Sequence, residues 1–237
     1  MKKFISVILS ALILSTVLTA CGGSPNSQTL AGSANGGDKD TYKIAIVQPM
    51  SHTSLDQIRD TIVAELGNSD QDIVIDTKNA NGDSTALSTI LENCKAEGVD
   101  LVIPIATSTA QSAKAVFDGT GTPIVFAAVS DPAAAGLTGE DCQNITGVSN
   151  NIPAAEIVKL IFNFQPDCQK IGFVYTSSEA NSVSTIAAAK AYCDQEHIAY
   201  EEVSIANLSE LQTAAETLIS RGVDALYTGN DNTIASR

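Results

Sequence analysis

The side chains best placed to do chemistry in this chain are polar residues that follow short apolar runs. Gln48, Pro49 and Met50 follow the first run, with Ser51 and His52 behind them, and Asn79, Ala80 and Asn81 follow the second. Thr107, Ser108 and Thr109 follow the third, Ser130 and Asp131 the fourth. Tyr175 closes a later run that leads to Glu179, Asn181 and Ser182, and the last run leads to Asp231, Asn232 and Thr233. Asp131 and Asp231 are carboxylates that can accept from a ligand ammonium, whereas the hydroxyls and helix-start N–H groups of Thr107 to Thr109 can hold a carboxylate. Met50, with Pro49 and Tyr175, supplies apolar surface. Such a set suits a zwitterion with a hydrophobic substituent, an amino acid held without covalent chemistry. Each position also has a plainer reading, because Ser, Thr, Asn and Asp are the common helix N-caps, and capping does not exclude binding.

These residues need elements to position them. The continuous apolar run Tyr42 to Val47 predicts a strand buried on both faces, and Leu55, Ile58, Ile62, Val63 and Leu66 give Ser54 to Leu66 a helical period. The alternation continues with strands over Asp72 to Asp76, Asp100 to Ile105, Pro123 to Ala128 and Asn144 to Val148. Helices are expected over Ser84 to Glu97 and from Thr107 or Ser108 to Phe117. A second round predicts strands at Ile171 to Tyr175, Ala199 to Ser204 and Asp224 to Thr228, with helices over Asn181 to Glu196 and Ser209 to Arg221. Strands separated by helices imply right-handed crossovers and a doubly wound sheet. The two rounds also share sequence. Gly98-Val99-Asp100-Leu101-Val102 is answered by Gly222-Val223-Asp224-Ala225-Leu226, and Ile44-Ala45-Ile46-Val47 by Ile171-Gly172-Phe173-Val174, at nearly one offset. The expected fold class is α/β, with two doubly wound parallel-sheet lobes whose strand ends face one shared cleft. The first lobe is expected over 42–150 and the second over 151–237, the latter ending where a further helix should begin and so looking truncated.

Ahead of the lobes, Lys2 and Lys3 precede the apolar stretch Ile5 to Leu18, the layout of a secretory signal over residues 1–20. Leu18-Thr19-Ala20-Cys21 resembles a bacterial lipobox, which implies a lipidated Cys21 and a membrane-held, extracytoplasmic protein. Residues 21–41, built of Gly, Ser, Asn, Ala, Thr, Gln and Asp, read as a flexible tether of about 25 Å typical reach.

Composition narrows the partners. Twenty-seven Asp and Glu stand against thirteen Lys and Arg, for a formal net charge of −14, which repels phosphate backbones and argues against nucleic acid. Cys94, Cys142, Cys168 and Cys193 form no C-x-x-C unit and could equally pair as disulfides or stay as buried thiols. His52 and His197 are the two histidines and neither sits near a second ligand, so no metal site and no cofactor are expected. No nucleophile elbow, dinucleotide-binding G-x-G-x-x-G or phosphate loop occurs, so no catalytic residues are assigned.

Several segments together carry a family likeness. Asn79-Ala80-Asn81-Gly82-Asp83, Ile105-Ala106-Thr107-Ser108, Ile124 to Pro132, Asn144 to Ser149, Glu179-Ala180-Asn181-Ser182 and Asp231-Asn232-Thr233 resemble the ABC transporter substrate-binding lipoproteins that include tryptophan and tyrosine binders. The resemblance implies a type I periplasmic-binding-protein fold, no catalysis, an aromatic amino acid as ligand, and delivery to a permease driven by a separate ATPase. A tethered binder of a sugar, nucleoside or signalling molecule that feeds a sensor is the competing reading. Sugar sites usually stack the ligand on tryptophan, which this chain lacks.

Overall fold

The computed structural model describes residues 41–236; the signal, Cys21 and nearly all of the tether lie outside them. Eight strands and seven α-helices alternate: β1 (Tyr42–Gln48), α1 (Thr53–Gly67), β2 (Ile73–Asn79), α2 (Ser84–Ala96), β3 (Leu101–Pro104), α3 (Thr107–Phe117), β4 (Ile124–Val129), β5 (Ile145–Ser149), α4 (Ala154–Phe164), β6 (Lys170–Thr176), α5 (Ala180–Glu196), β7 (Ala199–Ile205), α6 (Leu211–Ser220), β8 (Ala225–Tyr227) and α7 (Asn232–Ala235). All strand pairs are parallel. They form one sheet ordered β2-β1-β3-β4-β5 and another ordered β7-β6-β8.

Alternation along the central strands decides which helices cover which face. On β1, Ile44 and Ile46 point to a core shared with Leu55, Ile103 and Ile105, while Ala45 and Val47 point to one built on Leu87, Leu91, Val102, Phe117 and Ile124. Helix α1 therefore closes one face and α2 with α3 the other. In the second sheet Ile171 and Phe173 pack with Val158, Ile186 and Cys193 of α4 and α5, whereas Val174 packs with Ala214 and Leu218 of α6. Burying a Phe or Leu of this kind stabilises the fold by about 1.5–3 kcal/mol.

The sequence repeat has a structural counterpart. After α2, Asp100 accepts from the Lys43 N–H at 2.8 Å, and after α6, Asp224 accepts from the Gln169 and Lys170 N–H groups at 2.8 and 2.9 Å. The preceding Gly98 and Gly222 turn the chain with φ of 66° and 74°, a region that excludes most side chains. In both rounds the corresponding Asp thus fastens the start of the round's first strand, β1 or β6. Those N–H groups hold the Asp224 carboxyl below its ordinary range.

Two features differ from the pattern reading. Residues 154–164 form helix α4, whose Ala154, Val158 and Ile161 pack against the second sheet; this apolar spacing had been passed over between the two rounds. The expected helix from Ser209 divides into a 3₁₀ turn, Leu208–Glu210, and α6. No helix among the described residues is long and apolar enough to cross a membrane.

Cys94, Cys142, Cys168 and Cys193 are all buried and unpaired, which decides between the two readings left open by the sequence. Burial pushes the Cys193 thiol up to about 11 and raises Cys94 and Cys168 as well. A thiol reagent should leave these four unlabelled in the native protein and label all four once denaturant is added without reductant. Two bridged pairs would instead stay silent until reduction. In the same core, Leu91→Ala should lower unfolding free energy by about 2–5 kcal/mol in a denaturant titration.

Candidate functional site

The carboxyl ends of the strands in the two sheets face each other across a cavity of about 260 Å³. Pro49, Met50, Ala80, Asp83, Leu87 and Ser108 wall it from the first sheet, and Ser178, Glu179, Asn232 and Thr233 from the second. A wider opening of about 480 Å³ continues outward past Met50, Ser51, Gly82, Asn207 and Thr233. Neither wall carries a Lys or Arg.

Each wall residue is held by its neighbourhood. Gln48, 1% exposed, does not reach the cavity. Its amide donates to the Met50 carbonyl at 2.9 Å and to Asp56 at 2.8 Å while its oxygen accepts from Arg59, which fixes the Pro49-Met50 turn. The Asp56 carboxyl is lowered by that Gln48 bond and by the adjacent Arg59. Asn79 donates to Ser51 at 2.7 Å and accepts from the Asn81 N–H at 2.8 Å, shaping the turn that leads to Asp83. The Gly82 N–H donates to the Pro49 carbonyl at 2.9 Å and joins the two loops.

Helix α3 begins without a side-chain cap. Its N-cap is Ala106, at φ 71°, a left-handed conformation that costs a non-glycine residue about 1–2 kcal/mol. The first-turn N–H groups of a helix have no partner within it and carry partial positive charge. Ser108 brings this turn to the cavity wall; Thr107 and Thr109 are buried in the helix start, and the fully buried Thr109 hydroxyl has no hydrogen-bond partner.

On the second sheet Glu179 and Asp231 clamp the start of α7. Asp231, 4% exposed, accepts from the Thr176 N–H, the Thr176 and Ser182 hydroxyls and the Ile234 N–H at 2.7–2.9 Å. Glu179, 8% exposed, accepts from Asn181, from the Asn232 N–H and amide and from the Thr233 N–H and hydroxyl at 2.7–3.1 Å. Asn181 also donates to the Asn230 carbonyl at 2.6 Å, leaving its own oxygen buried and unpartnered.

The structure redistributes the residues expected to bind. It gathers Pro49, Met50, Ser108, Glu179, Asn232 and Thr233 on one wall system. Asp231 does not line the cavity, and both of its carboxylate oxygens accept from donors of the fold. Asp131 faces a different groove with Ser130, Ile152, Pro153 and Thr185, where it accepts from the Ala134 N–H at 2.9 Å and from Ser184 at 3.5 Å. Ser130 donates to Asn150 at 3.2 Å and accepts from Asn230 at 2.9 Å, tying the first sheet to the second. A further link is the 3.4 Å contact between His52 Nε2 and the Asn232 side-chain oxygen. Tyr175 packs into the core of the second sheet and donates to Glu202 at 3.4 Å, away from the cavity. Asp83 and Leu87 were missed as wall residues; the turn Asn81-Gly82-Asp83 was visible, but it read only as a helix opening. Among the described residues no group of acidic, His and Cys side chains is arranged to hold a metal.

Comparison with known proteins agrees with this layout. The family model for ABC transporter substrate binding proteins matches residues 43–237. A tyrosine-binding protein from Clostridioides difficile is 29% identical, over 99% of this chain and 69% of its own length. Among solved structures, an ABC domain from Streptococcus pneumonia in complex with L-Trp superposes with a TM-score of 0.75 at 35% identity, covering 83% of this chain and 68% of that one. A ligand-free, open substrate-binding protein with adhesive properties from Clostridium difficile gives 0.58 at 31% identity over 82% of this chain and 68% of that one.

The two acids assigned to different jobs should separate in stability. Asp231→Ala strands four donors at a buried point and should cost about 3 kcal/mol or more in a denaturant titration. Asp131→Ala, at a partly exposed turn, should cost about 1 kcal/mol. Equal costs would contradict the clamp.

Proposed function

The chain belongs to the family of ABC transporter substrate-binding proteins, and we propose that its ligand is an aromatic amino acid, delivered to a membrane permease powered by a separate ATPase. The observation that carries the ligand class is the cavity itself. One wall offers the uncapped start of α3 with Ser108, suited to a carboxylate, and another offers Pro49, Met50, Ala80 and Leu87, suited to an apolar side chain. The cavity volume lies just below the ~300–1,000 Å³ of clefts for drug-sized molecules and favours a small ligand. Tyrosine and tryptophan are favoured within that class by the ligands of the two relatives. Capture outside the cytoplasm, with the protein held by lipid at Cys21 on the tether of residues 21–41, is supported by the signal layout.

The chain contains no tryptophan, so the emission of added L-tryptophan reports binding without protein background. Saturable change with tryptophan, competed by tyrosine and unaffected by sugars, is the expected result. Ser108→Ala should weaken binding about three- to tenfold, the loss of one ordinary hydrogen bond. No response to any amino acid, alongside thermal stabilisation by a sugar, would replace the ligand class.

The anchor has its own test. The mass of protein extracted from membranes should correspond to a chain starting at Cys21 plus acyl groups, and Cys21→Ala should release it. Membrane retention unchanged in that variant would remove the anchor from the proposal.

A further inference from the structure

Four carboxylates lie where the strands end, and they differ in what remains available to a ligand. Asp231 has both oxygens engaged by four protein donors, and Glu179 accepts five hydrogen bonds. Asp131 opens on the separate groove beside Ile152 and Pro153. Asp83 is the remaining one. It stands on the cavity wall at the N-cap of α2, where one oxygen, Oδ1, accepts from the Thr85 and Ala86 N–H groups at 2.8 and 3.0 Å. Among the described residues nothing donates to its Oδ2, and the side chain is exposed. Helix capping thus fixes the carboxylate and leaves one oxygen exposed, beside a cavity with no Lys or Arg to claim it.

We infer that Asp83 is the specificity-determining residue for the ligand's α-ammonium, with Oδ2 as the acceptor. The assignment rests on the amino-acid reading above and sharpens it. With the α3 start holding the carboxylate on the same cavity, the two charged ends of one ligand meet two helix N-termini: α3 directly, and α2 through a carboxylate that reverses its sign. The site then selects for a free α-amino group. An aromatic propionate, with hydrogen in place of the α-amino group, would keep the ring and the carboxylate contacts but leave Asp83 unpaired.

The test uses L-tyrosine, L-tryptophan and their counterparts lacking the amino group, 3-(4-hydroxyphenyl)propionate and indole-3-propionate, measured by calorimetry on the whole protein. Asp83→Asn is informative because Asn caps helices about as well as Asp, so the turn persists while the charge is lost. The amino acids should weaken about ten- to a hundredfold in Asp83→Asn, the range for losing a charged hydrogen bond. The propionates, already weak in the wild type, should change by less than about threefold. Asp83→Ser, which keeps a capping oxygen, should behave like Asp83→Asn. Unchanged amino-acid affinity overturns the inference, and so does an equal loss for both ligand sets, which would mark a structural role. If the wild type binds the propionates but neither amino acid, this inference and the amino-acid reading both fall. Amino-acid binding that survives Asp83→Asn leaves the functional reading standing and removes only Asp83.

Discussion

Two buried carboxylates, Glu179 and Asp231, face the first turn of α7, and every hydrogen bond they accept comes from a neutral donor. Burying charge is costly unless its acceptors are filled, and nine donors converge here from the end of β6, the start of α5 and the first residues of α7. An isolated helix of four residues has no stability of its own. The position of Asn232 and Thr233 on the cavity wall therefore depends on the clamp, as does the coupling of the loop after β6 to the loop after β8. The first sheet solves the same problem differently: Gln48, neutral and buried, bridges Met50, Asp56 and Arg59.

The architecture was largely legible because both sheets are covered on both faces. Runs such as Ile44 to Val47 and Ile171 to Val174 have no polar alternation, and the helices between them carry apolar stripes. The paired Gly-Val-Asp segments exposed the repeat, since each Asp reaches back to the first strand of its own round. Helix α4 was missed because it follows the passage between the sheets, where a repeat-based reading had no template. The site was legible in place but not in role. Asp83, Asp131 and Asp231 have the same local appearance, an acidic residue at a turn or helix start. Their different fates depend on long-range donors such as Thr176 and Ser182, which no local pattern reveals.

The electrostatics of the cavity follow from the same economy of charge. A chain with formal net charge −14 has placed no basic side chain on the cavity walls, so recognition of an anionic group there falls to backbone dipoles. Dipoles of a helix start are fixed in direction, unlike a flexible lysine, and they favour a ligand with one carboxylate in one orientation. The strained Ala106 that opens α3 belongs to this arrangement, since it leaves the helix start without a side-chain cap.

The bonds between the sheets join His52 to Asn232, Ser130 to Asn230 and Ser184 to Asp131. None of them is an ion pair between a basic and an acidic side chain. Dissolved salt screens charge–charge attraction over about 8 Å at physiological strength but has little hold on neutral hydrogen bonds. The approach of the two sheets is thereby insulated from the ionic strength of the surrounding fluid.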